Sequence, residues 1–99
     1  MSERVVSPSQ YEGDLRLTCD VVVVGSGAGG ATAAATLAEA GLDVVCLEEG
    51  GYHRTADYSA DIPSMLRTLM RNGGATATMG RAQVPYLEGK CVGGSTVIN

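Results

Sequence analysis

Asp20-Val21-Val22-Val23-Val24-Gly25-Ser26-Gly27-Ala28-Gly29-Gly30 is the stretch that decides the fold. Its β-branched run, with Thr18 just ahead, is stiff at χ1 and favours an extended strand. The run is continuous rather than alternating, which suits a parallel strand covered on both faces. Gly25 permits a tight turn off that strand, Gly27 lets backbone approach a bound group, and Gly30 allows a helix to lie close. Residues 28–40 are rich in alanine and free of proline, so a helix is expected there, with Gly41 as its stop. Ala34 continues the small-residue spacing on the face that meets the sheet. Residues 43–48 are a second β-rich run that ends in Glu48. A helix between two strands implies parallel pairing and a right-handed crossover. The expected fold class is α/β: a Rossmann-like βαβ FAD/NAD(P)-binding unit with a parallel sheet, incomplete in this chain.

The same order of elements carries chemistry. The N-terminus of the helix offers free N–H groups and the positive end of its dipole to phosphates. Gly25, Ser26, Gly27, Ala28 and Gly30 are therefore candidate pyrophosphate-binding residues. Glu48 follows Gly25 by 23 positions and can accept hydrogen bonds from the ribose hydroxyls of an adenosine. A charged hydrogen bond of that kind is worth about 1.5–3 kcal/mol. The acid would repel a 2′-phosphate, which disfavours NADP. On these residues alone the ligand is a dinucleotide, either NAD or FAD.

Outward from this unit the chain is less regular. Residues 1–17, with Pro8 and Gly13, form an irregular lead-in, and residues 18–99 form the N-terminal part of a cofactor-binding domain. Residues 49–59 read as a loop. Asp61 is placed to cap a second helix with Pro63 in its first turn, and Ile62, Met65, Leu66, Leu69 and Met70 make one apolar stripe. Asn72-Gly73-Gly74 ends that helix, residues 75–80 are small and polar, and residues 82–87 form a candidate third strand weakened by Pro85. Two or three parallel strands cannot cover both faces of a doubly wound sheet. The chain is thus expected to be the front of a longer protein; the alternative is a small module that completes its core by oligomerising.

Composition excludes several function classes. Within 99 residues the net charge is −4 and the seven basic residues are scattered, so no nucleic-acid surface is expected. Cys19, Cys46, Cys91 and the single histidine, His53, lack the spacing of a zinc site, and no metal is assigned. Cys46, inside an apolar run, reads as a small buried hydrophobe. Free thiols suit a reducing compartment. The opening residues lack the basic and apolar regions of a signal peptide, and no apolar run approaches the roughly 20 residues that span a bilayer. A cytoplasmic protein without a transmembrane segment is expected. His53 reads as a surface histidine without a carboxylate partner, and Arg81 and Lys90 as solvated charges.

A second glycine segment narrows the reading. Gly89-Lys90-Cys91-Val92-Gly93-Gly94-Ser95-Thr96-Val97-Ile98-Asn99, taken with residues 21–30 and with Val45-Cys46-Leu47-Glu48-Glu49-Gly50-Gly51, resembles the N-terminal part of the glucose–methanol–choline (GMC) oxidoreductase family. These are FAD-dependent alcohol oxidases and dehydrogenases. In that family a Gly-Gly-Ser-Ser-x-x-Asn-like segment runs beside the FAD pyrophosphate towards the flavin. The resemblance implies FAD as cofactor, with contacts from Val92, Gly93, Gly94, Ser95 and Asn99, and a small-molecule alcohol as substrate. Thr96 stands where a second serine is common and keeps the hydroxyl. Glu49-Gly50-Gly51-Tyr52 is most similar to the branch acting on long-chain alcohols. The family's histidine base and its His or Asn partner lie near the C-terminus of a chain several times longer, and no residue here matches them. No catalytic residue is assigned. Two rivals remain: another FAD- or NAD-dependent Rossmann oxidoreductase, and a non-catalytic dinucleotide-binding module.

Overall fold

The structure, a computed structural model, describes residues 5–98. Its centre is a βαβ unit: β1 (Val21–Val24), α1 (Ala28–Glu39) and β2 (Val44–Leu47). The two strands pair in parallel, with Val21 opposite Val44 and Val24 opposite Leu47. Both ends of this short ladder are pinned. The Asp20 carboxylate accepts the Asp43 N–H at 2.8 Å, and the Gly25 N–H donates to the Leu47 carbonyl at 2.7 Å. Asp20 is thus a cross-strand partner as well as a hydrated start to the strand.

Helix α1 lies on the sheet along Gly30, Ala34 and Leu37, its half-buried stripe. The close approach requires glycine at position 30, where a Cβ would fall inside the van der Waals envelope of the Gly25 carbonyl. At the far end Gly41 takes φ +92°. Its N–H donates to the Ala38 carbonyl at 3.0 Å, and the Leu42 N–H to the Leu37 carbonyl at 3.2 Å. That is the Schellman pattern, which satisfies carbonyls the helix leaves open. The expected strand–turn–helix–strand order is therefore present.

The second half is built from short pieces. Helix α2 (Ile62–Leu69) has Asp61 at its N-cap position, although the Asp61 side chain makes no capping hydrogen bond. Leu69 is buried and Met65, Leu66 and Met70 are half-buried, whereas Ile62, at the start of the stripe, is mostly exposed. A tight turn, with Asn72 and Gly73 in the left-handed region, leads into β3 (Thr76–Ala77), which pairs antiparallel with β4 (Pro85–Tyr86). The candidate third strand over 82–87 is thereby corrected. Only Pro85 and Tyr86 are extended, and they form a minute hairpin apart from the parallel sheet. Segment 88–92 then threads between two neighbours. The Lys90 N–H donates to the Leu69 carbonyl at 2.7 Å, and the Val92 N–H to the Gly51 carbonyl at 3.0 Å.

Two further expectations change. Val22, Val24 and Leu47 are exposed, Val24 at 81%, so among the described residues one sheet face is uncovered. Cys46 is also exposed rather than buried, because β2 is an edge strand here. The radius of gyration, 15.8 Å, exceeds the roughly 13 Å of a compact domain of this length. Among the described residues no helix is long and apolar enough to cross a membrane.

Two neighbouring glycines give a test of this packing. A Cβ at Gly29 meets nothing within 4 Å, in contrast to Gly30. Gly29→Ala is expected to raise stability by up to about 1 kcal/mol through helix propensity, and Gly30→Ala to lower it by about 3 kcal/mol or more through overpacking. Urea unfolding of the full-length protein measures both.

Candidate functional site

Three segments meet at the C-terminal end of the parallel strands. They enclose an open cavity of about 430 Å³, lined by residues 24–27 of the turn, 47–49 beyond β2, and 88–89 and 94–95 of the second glycine segment. This is where an open α/β sheet places its ligands, because the strand ends and helix N-termini converge there.

Glu48 is the pivot. Its Oε2 accepts the Ser26 hydroxyl at 2.6 Å and the Ser26 N–H at 3.0 Å. Its Oε1 accepts the Gly50 N–H at 2.8 Å. Burial pushes this carboxyl up, but the hydrogen bonds from Ser26, Gly50 and the Glu49 amide outweigh that effect and hold it below the usual carboxylate range. Glu48 is therefore ionised at neutral pH, with its position set by the turn it faces.

The second glycine segment docks on the first. The Gly93 N–H donates to the Ser26 Oγ at 3.1 Å, across 67 residues of sequence. Glycine is needed where the loops touch: a Cβ on Gly94, which has φ +66°, would lie 2.7 Å from the Gly27 Cα. Gly89 is equally confined, since a Cβ there would lie 2.8 Å from Gly94 backbone atoms, and its N–H donates to the Ser95 Oγ at 2.9 Å. Residues 94–98 close as a 3-10 turn that packs on α1. Cys91 is 1% exposed, and burial, aided by the nearby Glu48 charge, pushes its thiol up. It is a packing residue, not a nucleophile.

Arg71 reinforces the arrangement from outside. It pairs with Glu49, beyond β2, and its Nε donates to Glu88, ahead of the second segment, at 2.6 Å. The Arg71 N–H also donates to the Glu88 carbonyl at 2.8 Å. The Arg71 hydrogen bond holds the Glu49 carboxyl low, and the two acids raise the guanidinium further. Glu49 and Glu88 both line the cavity, so Arg71 offsets two negative charges at its rim.

Of the residues expected from sequence, Gly25, Ser26, Gly27, Glu48, Gly94 and Ser95 line this cavity. Gly30 sits behind it against Gly25. Gly93 acts through Ser26, while Ala28 and Val92 are exposed outside the lining. Asn99 lies outside the described residues. Arg71, Glu49, Glu88 and Gly89 escaped sequence reasoning, since their roles depend on contacts 17 to 22 residues away or on loop packing. His53 is half-buried with its ring under Gly51.

An elongated anion fits this cradle. Gly27 caps α1 without any side chain blocking the first-turn N–H groups, the walls are glycine backbone, and the carboxylate stands at the end of β2. The profile of the FAD binding domain family matches residues 20–76. The chain belongs to the FAD-binding domain family. It is the N-terminal segment of that domain as GMC oxidoreductases carry it, and FAD is its cofactor. It is 46% identical over 86 residues to an uncharacterised GMC-type oxidoreductase of Sinorhizobium fredii, covering 87% of this chain and 17% of that protein. Over 102 residues it is 44% identical to a long-chain-alcohol oxidase of Arabidopsis thaliana, covering 100% of this chain and 13% of the relative. An uncharacterised GMC-type oxidoreductase of Mycobacterium tuberculosis is 51% identical over 81 residues, 81% of this chain and 13% of its own. The chain therefore spans about a sixth or less of the relatives it matches.

The Glu48 hydrogen bonds predict a pH dependence with a definite sign. A carboxyl held low in the fold contributes stability above its unfolded value, near pH 4.3, and loses it as pH falls through the lower folded value. Glu49 titrates in the same direction. Melting temperature is expected to fall from about pH 5 to pH 3. Glu48→Gln should flatten that fall without abolishing it, as a thermal-shift series over pH would measure.

Proposed function

We propose that this segment forms the FAD-binding part of a flavoenzyme that oxidises the CH–OH group of an alcohol. The observation that carries the reading is the convergence of the nucleotide turn, Glu48 and the second glycine segment on one cavity. The Gly27 N–H and the first-turn N–H groups of α1 would receive the pyrophosphate, which needs neutral donors in a cavity lined by three acids. Glu48 would hold a ribose hydroxyl. Ser26 donates twice to Oε2 and Gly50 once to Oε1, so a ribose hydroxyl would approach on the Oε1 side. Residues 93–95 would line the path from the pyrophosphate towards the flavin, with Asn99 continuing it.

FAD, when bound, supplies the acceptor for the alcohol's hydride. This chain's residues bind and orient it, and keep backbone donors aimed at its charge. The proton acceptor for the hydroxyl group is assigned to the protein beyond this segment. Relatives named long-chain-alcohol oxidases, together with Glu49-Gly50-Gly51-Tyr52, favour a long-chain alcohol as the substrate. A cytoplasmic location, consistent with three unpaired thiols, belongs to the same proposal, as does a longer chain or a partner copy to cover the open sheet face.

The full-length gene product should purify yellow, with flavin absorbance bands that bleach on anaerobic addition of a long-chain alcohol. Glu48→Ala should weaken FAD binding by about tenfold to a hundredfold, the equivalent of one charged hydrogen bond. A product that takes up no FAD, or that prefers NADH in a fluorescence titration, would overturn the proposal.

A further inference from the structure

Ser26 occupies the second position of the glycine turn, where the backbone geometry asks only for a small residue. Glycine or alanine would fit the turn, and the Ser26 N–H would still reach Glu48. The hydroxyl therefore needs its own explanation. Ser26 is the buried polar residue of the described chain, 9% exposed. Its hydroxyl has a single proton, and that proton goes to Glu48 Oε2 at 2.6 Å. The same oxygen accepts the Gly93 N–H at 3.1 Å. One Oγ thus joins the end of β2, the nucleotide turn and the second glycine segment. No other side chain among the described hydrogen bonds spans all three.

We infer that Ser26 is a positioning residue. Its hydroxyl fixes the Glu48 carboxylate and the Gly93–Ser95 backbone relative to one another before FAD arrives. This deepens the FAD reading and rests on it. The direction of the hydrogen bonds supports the role. Because the proton is donated to Oε2, the Ser26 oxygen lone pairs face the Gly93 N–H, and Oε1 is the carboxylate oxygen that Ser26 leaves for the ribose. Without the hydroxyl, Oε2 retains only the backbone N–H and can rotate, while the Gly93 N–H loses its acceptor. The two halves of the cofactor site would then be set independently, and binding would have to order them. Ser26 touches the cofactor with neither of its polar groups, since both the N–H and the hydroxyl are committed within the protein.

The test is a double-mutant cycle on FAD affinity in the full-length apoprotein, using Ser26→Ala, Glu48→Ala and the pair, each checked for folding by near-UV circular dichroism. Ser26→Ala is expected to weaken FAD binding about tenfold. A residue acting through Glu48 loses leverage once Glu48 is gone. The double variant should therefore bind at least threefold more tightly than the product of the two single losses implies. A merely structural serine would lower the melting temperature and leave the two losses multiplicative, which would overturn the assignment. Should Ser26→Ala fail to fold, Ser26→Thr carries the test because it keeps the hydroxyl. FAD affinity within about threefold of the unsubstituted protein supports the role, and a tenfold loss in a folded Ser26→Thr protein overturns it. Absence of FAD uptake by the unsubstituted protein would instead overturn the flavin reading on which this one stands.

Discussion

The hydrogen bond from the Ser26 hydroxyl to Glu48 is the contact on which the rest of the site depends. A carboxylate at the end of a strand is free to swing unless something holds it, and here its first strand's turn does so. Bonds to an ionised acceptor are shorter and about twice as strong as neutral ones, and this one is supplemented by two backbone N–H groups. Burial alone would have raised the acid's affinity for a proton; the hydroxyl and the backbone N–H groups together reverse the sign. The result is a fixed negative charge beside a positively polarised helix terminus. That pairing suits a ligand with a neutral ribose at one end and a charged pyrophosphate in the middle.

A fixed charge carries a cost that the surrounding structure must offset. Glu48, Glu49 and Glu88 line one cavity, and Glu48 raises the proton affinity of its neighbour Glu49. Arg71 answers by holding Glu49 and Glu88 at once. It also ties the end of α2 to the second glycine segment through its backbone. The acids that do not meet the ligand are neutralised at the rim, and the acid that would meet it is left with hydrogen bonds only. Sorting the three carboxylates this way needs contacts from four separate segments.

The legible part of the fold was the part governed by local geometry. Residues 20–48 were readable because each constraint falls on a residue type: β-branched strand, left-handed Gly41, close-packed Gly30, acid at a strand end. Residues 93–95 could be recognised as a cofactor segment only through resemblance, since their docking depends on Ser26, 67 positions earlier. The β3–β4 hairpin has two residues per strand and so no period to detect. Arg71 carries no local signal, because its partners Glu88 and Glu49 lie 17 and 22 residues away. The errors over Cys46 and the both-faces-covered strand share one cause. A continuous apolar run reports the sheet's final environment, and residues 5–98 supply only one of its layers.

That imbalance also explains why the site is held by hydrogen bonds and not by a core. Among the described residues Leu69 and Cys91 are the buried apolar side chains, against an ordering cost of about 1–2 kcal/mol per residue for backbone alone. Apolar burial of that extent contributes little, and Val22, Val24 and Leu47 add nothing to it while their sheet face is exposed. The cofactor enters the same account: a ligand that binds only the folded state adds stability by mass action. A site whose glycine loops are joined through one hydroxyl and one carboxylate needs little preformed core, because the ligand bridges the same segments. Cofactor binding and ordering of these loops are then two parts of one equilibrium, coupled at Ser26 and Glu48.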